Sequence, residues 1–179
     1  MDLFSRKDYG GTSIGEITAR ANITKGALYY YFKDKNEVFM TVCQMAMDAY
    51  QREVFDRSAS REPSESGIRA LIKNGHDFDV KNRRYSRLYL KIMGEDWSAN
   101  QDLYPVFRQY LEGYRERVRQ LVLEDQAHGH IQHEDADAAA ALVMSLLDGL
   151  SIRNTIDPYC PLEDAGVDAI SDLVLKGLN

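Results

Sequence analysis

Basic and hydroxyl side chains are concentrated in one short stretch near the start of the sequence. Thr24 and Lys25 are followed within a few residues by three consecutive tyrosines, Tyr29, Tyr30 and Tyr31. Lysine ammonium groups donate to phosphate oxygens and guanine edges, and hydroxyl groups donate to phosphate. Three adjacent tyrosines on one helix cannot all point inward, so at least one is exposed or bound. These residue types suit contact with a nucleic-acid duplex, although an ordinary helix surface also carries them.

The neighbouring residues predict the helices that hold this stretch. Ser13 and Glu16 have the capping-box spacing, so a helix is expected to start there. Thr24 is placed to cap the next helix, in which Leu28 and Phe32 lie one turn apart on the buried side. Two short capped helices joined by a tight turn form the helix-turn-helix that reads the major groove of DNA. Short helix pairs also occur as plain packing units, so this pattern alone leaves both interpretations open.

The same stretch resembles a known family. From Tyr9 to Lys35 the sequence is similar to the DNA-binding domain of TetR-family bacterial transcriptional regulators, with the core T-K-G-x-L-Y-x-x-F at 24–32. The resemblance implies a homeodomain-like domain whose recognition helix follows Thr24. Family members usually carry more helix before the position of Leu3 and Phe4. Either the start is truncated, or the helix-turn-helix is less well supported here.

The resemblance also implies which residues hold the DNA backbone. Thr12 and Ser13 would bind a phosphate at the start of the second helix through hydroxyl groups and free amides. Tyr29 would donate to phosphate, and Tyr30 would reach backbone or base beside it. Lys35 would add a phosphate contact at the start of the following helix.

Base contacts are expected from the first turn of the recognition helix. Lys25 would donate to a guanine edge, Gly26 would allow close approach of the backbone, and the Ala27 methyl group would touch thymine. Tyr31 is interpreted as plain surface. The complete predicted DNA-binding set is Thr12, Ser13, Thr24, Lys25, Gly26, Ala27, Tyr29, Tyr30 and Lys35.

The distribution of charge is compatible with this expectation. The formal net charge is −6, but residues 1–50 carry six basic and six acidic residues, so the whole deficit falls after residue 50. We call residues 1–50 the head and the rest of the chain the body. Because the head is neutral and the body is acidic, only the head is suited to face phosphate. The sequence has no apolar stretch long enough to span a membrane and no apolar signal core, which predicts a cytoplasmic protein without a membrane partner.

Helix-forming residues and 3-and-4 apolar spacing predict an all-α fold throughout. We expect a three-helix helix-turn-helix domain at 1–45 and a helical effector-binding and dimerisation domain at 46–179. The helix expected from about Lys35 to Phe55 has apolar residues on two faces, which indicates a connector packed against both domains. In the architecture that the resemblance implies, the last two helices of each subunit form the homodimer.

Aromatic residues are in excess in the second domain, which predicts a mostly apolar pocket for a small organic effector. An aromatic stripe at helical spacing is more often plain core, and that alternative stays open. Asp148 and Arg153 could supply polar selectivity or an interface salt bridge. The predicted ligand-binding residues are Tyr85, Tyr89, Trp97, Tyr104, Phe107, Tyr110 and Tyr114.

The expected function is that of a repressor that leaves a palindromic double-stranded DNA operator when the effector binds. The alternative is a helical domain that binds small molecules without binding DNA. No nucleophile, base and orienting group share a recognisable motif, so no enzyme, cofactor or catalytic residue is predicted. Cys43 and Cys160 lack metal-finger spacing, and the loop with His128, His130 and His133 is interpreted as an exposed segment, so no metal is expected.

Overall fold

Helices account for all the regular structure in the computed structural model, which describes residues 1–94, 104–157 and 162–179. A π-helical segment, Gln51–Asp56, continues α4 into α5. The all-helical fold expected from the sequence is confirmed. The helices are α1 Asp2–Arg6, α2 Ile14–Ala21, α3 Lys25–Tyr31, α4 Lys35–Tyr50, α5 Arg57–Ala59, α6 Gly67–Lys81, α7 Arg83–Met93, α8 Tyr104–Ala127, α9 Ala136–Ile156 and α10 Asp164–Gly177.

Side-chain caps define where the first helices begin. The Ser13 hydroxyl accepts from the amide of Glu16 and the Glu16 carboxylate accepts from the amide of Ser13, so the predicted capping box is confirmed. The Thr24 hydroxyl oxygen caps α3 by accepting from the amide of Ala27 at 3.1 Å. Asp34 caps α4 in the same way. These bonds satisfy amides that have no partner within their own helix.

The N-terminal helices share their hydrophobic core with the body. Phe4 of α1, Leu28 of α3 and Phe39 of α4 are buried against Leu88 and Ile92 of α7. The core therefore extends beyond the N-terminal helices into α7. The division at residues 45 and 46 remains a prediction.

A second core lies between α6, α8, α9 and α10. Ile68 and Leu71 of α6 meet Val118 and Val122 of α8 and Val143 of α9, and all five side chains are fully buried. Burial of such side chains contributes about 1.5–3 kcal/mol each, so this cluster supplies a large part of the stability of the body.

A buried carboxylate fixes the start of α6 within this core. Asp125 of α8 is fully buried and accepts from the amides of Gly67 at 2.7 Å and Ile68 at 3.0 Å. It also accepts from the Ser66 hydroxyl at 2.6 Å and forms an ion pair with Arg61 at 3.2 Å. Asp125 thus joins α8, the preceding loop and the N-terminus of α6.

Candidate functional site

The outward face of α3 is formed by the residues that the sequence assigned to it. Leu28 is 2% exposed and anchors the helix, while Tyr29, Tyr30 and Tyr31 are 51%, 82% and 74% exposed. Lys25 and its neighbours in the first turn, Gly26 and Ala27, are also exposed. The helix therefore presents a basic and phenolic surface on one side and a single apolar anchor on the other.

The turn between α2 and α3 depends on Asn22, which has a left-handed backbone with φ of 54°. Its amide donates to the Ala19 carbonyl, and the Ile23 amide donates to the Thr18 carbonyl, so the turn closes the end of α2. Asparagine adopts this conformation more readily than most residues other than glycine. Asn22 therefore sets the angle at which α3 leaves α2.

Most basic residues of the head are engaged within it. Arg6 and Arg20 form ion pairs with Asp2 at 3.3 and 2.9 Å, and Lys7 pairs with Glu16. That ion pair, with the capping bonds from Ser13, lowers the pKa of Glu16 to about 2.

Two lysine ammonium groups of the head have no ion pair or hydrogen bond within the described chain. They belong to Lys25, at the start of α3, and Lys33, just after its end. The free positive charge of the head is therefore concentrated at the two ends of α3. The sequence interpretation missed Lys33, although its place beside the T-K-G-x-L-Y-x-x-F core was a usable signal.

Thr12 requires a correction. Its side chain is 1% exposed, and its hydroxyl donates to the Asp8 carbonyl at 3.0 Å. The predicted phosphate contact by this hydroxyl is wrong, because the hydroxyl lies inside the turn before α2. Ser13 is exposed at the start of α2, as expected, with its hydroxyl engaged in the capping box.

Lys35 requires a second correction. Its ammonium group donates to the carbonyl oxygens of Tyr9 at 2.9 Å and Thr12 at 3.2 Å, and lies 4.1 Å from the centre of the Tyr9 ring. The predicted phosphate contact is not supported, because the charge is engaged by the turn between α1 and α2. Lys35 instead joins the start of α4 to that turn.

A cavity of about 70 Å³ lies in the body between α4, α6, α7, α8 and α9. It brings together most of the predicted ligand-binding residues, namely Tyr85, Tyr89, Phe107, Tyr110 and Tyr114. Tyr104 does not line it: this residue is 46% exposed at the start of α8, so its assignment is wrong. Trp97 lies outside the described residues.

Further aromatic residues of the cavity were missed. The Tyr50 ring, from the end of α4, lies 5.2 Å from that of Phe78 and 6.1 Å from that of Tyr114, both edge-to-face. The Tyr110 and Tyr114 rings are nearly parallel at 6.4 Å. Tyr50 lies on an apolar face of the connector helix, which predicted that it packs but not that it lines the cavity.

Two acidic side chains of the cavity carry its charge. Asp79 of α6 accepts from the Ser86 hydroxyl at 2.6 Å, and Asp148 of α9 accepts from the Tyr89 hydroxyl at 2.8 Å. Burial raises the pKa of Asp79 to about 6 and also raises the pKa of Asp148. The sequence singled out Asp148 but missed Asp79, which belongs to an unremarkable polar stretch of α6.

The connector α4 links the cavity to the head. Its first half packs Val38 and Phe39 into the core around α3, and its second half contributes Ala46, Met47 and Tyr50 to the cavity. The expectation of a two-faced connector is confirmed. A change in the shape of the cavity would therefore act directly on the helix that supports α3.

An exposed stripe of small and apolar residues runs along one face of α9. Leu142 and Ile152 are 50% and 43% exposed, and Leu173 of α10 is 68% exposed. The exposed residues of α9 that recur at helical spacing lie on one face of the helix. They are Ala138, Ala141, Leu142, Ser145, Gly149 and Ile152.

The described histidines of the loop after α8 are engaged separately. His128 Nδ1 lies 2.7 Å from the Glu124 carbonyl oxygen, and His130 Nε2 lies 3.2 Å from that of Pro63. No cluster of three His, Cys, Asp or Glu side chains suited to a metal occurs within 1–94, 104–157 and 162–179. Across these same ranges, no helix combines the length and apolar character that crossing a membrane requires.

Two family models match the chain. The model of bacterial regulatory proteins of the TetR family matches residues 1–42, and that of the C-terminal domain of BetI-type transcriptional repressors matches residues 64–178. The first covers the helix-turn-helix. The second covers most of the helices around the cavity.

Curated relatives are regulators of the same kind. The HTH-type transcriptional regulator AcrR of Shigella flexneri is 41% identical over 46 residues, which are 26% of this chain and 21% of that protein. The biofilm operon icaADBC negative transcriptional regulator IcaR of Staphylococcus aureus (strain Newman) is 29% identical over 104 residues, 56% of this chain and 54% of that protein. The chain thus spans about half, or less, of the length of these relatives.

Solved structures share the fold over the whole chain. The fatty acid degradation regulator FadR of Bacillus halodurans aligns with a TM-score of 0.83 and 19% identity, covering 99% of this chain and 91% of that one. AibR in complex with isovaleryl coenzyme A and operator DNA aligns with a TM-score of 0.71 and 18% identity, covering 98% and 91%. Since one family model matches more than half of the chain and another matches its helix-turn-helix, the chain belongs to the TetR family of bacterial transcriptional regulators, with a C-terminal domain of the BetI type.

Proposed function

We propose that this chain is a cytoplasmic, non-enzymatic repressor that binds a palindromic operator as a homodimer and leaves it when a small organic molecule enters the cavity. The observation that carries the proposal is the position of α4, which supports the exposed recognition helix at one end and lines the cavity at the other. A ligand that binds one arrangement of α4 better than another shifts the population between DNA-binding and released states.

The DNA-binding half of the proposal rests on α3. An exposed helix of this size fits the major groove, and Lys25 and Lys33 place free positive charge at its two ends. The predicted contacts that remain compatible with the structure are Ser13, Thr24, Lys25, Gly26, Ala27, Tyr29 and Tyr30. Lys33 joins them as a candidate phosphate contact.

The dimer is proposed to form through α9 and α10. The exposed stripe on α9 contains small residues, Ala138, Ala141 and Gly149, which allow helices to approach closely across a two-fold axis. Leu142 and Ile152 supply apolar area for burial. Two recognition helices related in this way would meet successive major grooves about 34–36 Å apart.

The ligand half of the proposal rests on the aromatic cavity. AibR has been solved with isovaleryl coenzyme A and operator DNA, and FadR of Bacillus subtilis with stearoyl-CoA. These complexes support a fold that serves both DNA and small ligands. The residues that would contact the ligand here are Tyr85, Tyr89, Phe107, Tyr110 and Tyr114, together with Tyr50 and Phe78.

Binding of the purified chain to DNA from upstream of its own gene tests the function. Lys25→Ala should weaken this binding at least about tenfold, a loss of about 1.4 kcal/mol, because a base contact is removed. Lys73→Ala is the matched control: Lys73 is an exposed lysine on α6, so the charge change is equal but lies away from α3. Tyr29→Phe and Tyr31→Phe form a second matched pair, since each removes one exposed hydroxyl group. Tyr29→Phe should weaken DNA binding, whereas Tyr31→Phe should not.

Equal affinities of Lys25→Ala, Lys73→Ala and the wild type would contradict the proposed recognition face. A chain that binds small molecules but no DNA would favour the alternative of a plain ligand-binding domain. For the dimer, Leu142→Glu should give monomers in sedimentation measurements, whereas Val80→Glu, on the exposed side of α6, should not.

A further inference from the structure

The charge of the cavity is its most informative chemical feature. Asp79 is 8% exposed and Asp148 is partly buried, and both line the cavity from facing helices, α6 and α9. Each accepts a hydrogen bond from a neutral hydroxyl group, that of Ser86 or that of Tyr89. Neither carboxylate forms an ion pair within the described chain.

Cationic side chains do not compensate these two acids. The residues lining the cavity include no lysine or arginine among those described, and His76 is its basic member, with Nδ1 3.2 Å from the Asn154 amide nitrogen. Arg84 and Arg117 lie against the rings of Tyr85 and Phe55, 5.4 and 5.5 Å from their centres, and do not line the cavity.

Two carboxylates without an ion pair in one cavity, one buried and one partly buried, destabilise the fold unless something offsets them. Desolvation raises the pKa of both carboxyl groups, and the charge of Asp148 adds to the rise at Asp79. Carboxyl groups with a perturbed pKa in a cavity are typical of ligand-binding and catalytic sites. An anionic ligand group would add a third negative charge to the cavity, whereas a cation would offset the two already present.

The other walls of the cavity also suit a cation. Aromatic faces attract ammonium groups, and the lining supplies Tyr50, Tyr85, Tyr89, Tyr110 and Tyr114. The lining by side chains of five helices suits a compact carbon skeleton rather than a long chain. Carboxylate oxygens have lone pairs directed at hydrogen-bond donors, which favours a cation that carries N–H groups.

We propose that the cavity binds a compact protonated amine, whose ammonium group donates to Asp79 and Asp148 and whose carbon skeleton contacts the tyrosine rings. This ligand class rests on the proposed function, because the amine becomes the effector only if α4 transmits its binding to α3. The proposal names a chemistry that the acyl-CoA complexes of the structural neighbours do not share.

Four probes of similar size separate the chemistries on the purified full chain at pH 7.5. They are benzylamine, benzyltrimethylammonium, benzyl alcohol and benzoate, with dissociation constants measured by calorimetry. Benzylamine should bind at least about tenfold more tightly than the alcohol and the benzoate. It should also bind more tightly than the quaternary ammonium probe, which has no N–H donor.

Neutral variants of similar shape locate the charge that is responsible. Asp79→Asn and Asp148→Asn should each weaken benzylamine binding about tenfold or more, with little effect on benzyl alcohol. Asp77→Asn is the matched control, since Asp77 lies on the same helix but pairs with Lys81 outside the cavity. If one variant does not fold, the order of the four probes on the wild type still decides.

Several results would overturn the amine proposal. These are equal or tighter binding of benzoate or benzyl alcohol, retention of benzylamine affinity in both cavity variants, or no detectable binding of benzylamine. Tighter binding of benzyltrimethylammonium would overturn the requirement for N–H donors. Operator release is measured separately: amine binding without release contradicts the regulatory function alone, whereas release by benzoate alone contradicts the amine alone.

Discussion

The Lys35 ammonium group lies 4.1 Å from the centre of the Tyr9 ring and donates to the Tyr9 carbonyl oxygen at 2.9 Å. The Tyr9 hydroxyl donates to Asn36, the neighbour of Lys35, and the Tyr9 ring packs on Phe39 at 5.0 Å. The start of α4 is therefore tied to the turn that precedes α2. Movement of α4 at the cavity would be transmitted to the helix-turn-helix through this contact.

Lys35→Met should lower the free energy of unfolding by about 1–2 kcal/mol, because charged hydrogen bonds and a cation–π contact are lost. It should weaken operator binding without changing the slope of log affinity against log salt, since the charge does not face phosphate. Denaturant unfolding and a salt titration measure the two effects. A reduced salt slope would show that Lys35 contacts phosphate after all.

Replacing Lys25 or Lys33 should change the salt slope of DNA binding and leave stability nearly unchanged, the opposite of the result expected for Lys35. Each lysine that neutralises a phosphate contributes about 0.9 to the magnitude of the salt slope, so Lys25→Ala and Lys33→Ala should each reduce it by about that amount. Their stability should stay within about 0.5 kcal/mol of the wild type, because both are exposed. Fluorescence anisotropy at several salt concentrations provides the slope, with Lys73→Ala as control. An unchanged slope in Lys33→Ala would remove Lys33 from the interface.

Asn22 should be sensitive to backbone conformation rather than to side-chain chemistry. Asn22→Gly should leave stability within a few tenths of a kcal/mol, since glycine adopts a φ of 54° freely. Asn22→Val should destabilise by about 1–2 kcal/mol, because a β-branched residue is strained there. Thermal unfolding compares the two. Equal stability would contradict the role assigned to this turn.

Asp79 should make stability fall as the pH rises. A carboxyl group in the unfolded chain titrates near 4, whereas the pKa of folded Asp79 is about 6. Between these values the folded state binds more protons than the unfolded state, so its contribution decreases by up to about 3 kcal/mol as the pH rises from 4 to above 6.

Asp79→Asn should therefore gain stability relative to the wild type between pH 4.5 and 7.5. Urea unfolding at both pH values measures the change in the difference between the two proteins. Asp77→Asn, which alters a carboxylate paired outside the cavity, should show no such trend. If Asp79→Asn instead loses stability relative to the wild type as the pH rises, the direction of the pH dependence assigned to Asp79 is wrong.

Asp125 should be the most damaging single site in the body. Asp125→Ala leaves Arg61, whose side chain is 6% exposed, and the amides of Gly67 and Ile68 without their acceptor. Breaking a buried pair of this kind costs about 3–5 kcal/mol. Glu124→Gln, at the exposed neighbour that also pairs with Arg61, should cost less than about 1 kcal/mol. Similar losses in the two variants would contradict this role.

The sequence by itself determined the local structure and the recognition helix. Capping spacings at Ser13 and Thr24, and the 3-and-4 apolar pattern, depend on neighbours along the chain and so predict helices directly. The T-K-G-x-L-Y-x-x-F core is likewise local, and it identified both the family and the exposed face of α3. The dense aromatic spacing on α7 and α8 also marked five of the residues that line the cavity.

Only the tertiary structure decided which polar groups are engaged by distant partners and which distant residues form one site. Lys35 carries a suitable ammonium group, but the Tyr9 carbonyl oxygen, 26 residues away, accepts from it inside the head. Asp79 and Asp148 become one acidic site because α6 and α9 face each other across the cavity. Burial and pairing depend on how the helices pack against one another, and the spacing of residues along a single helix does not encode that packing.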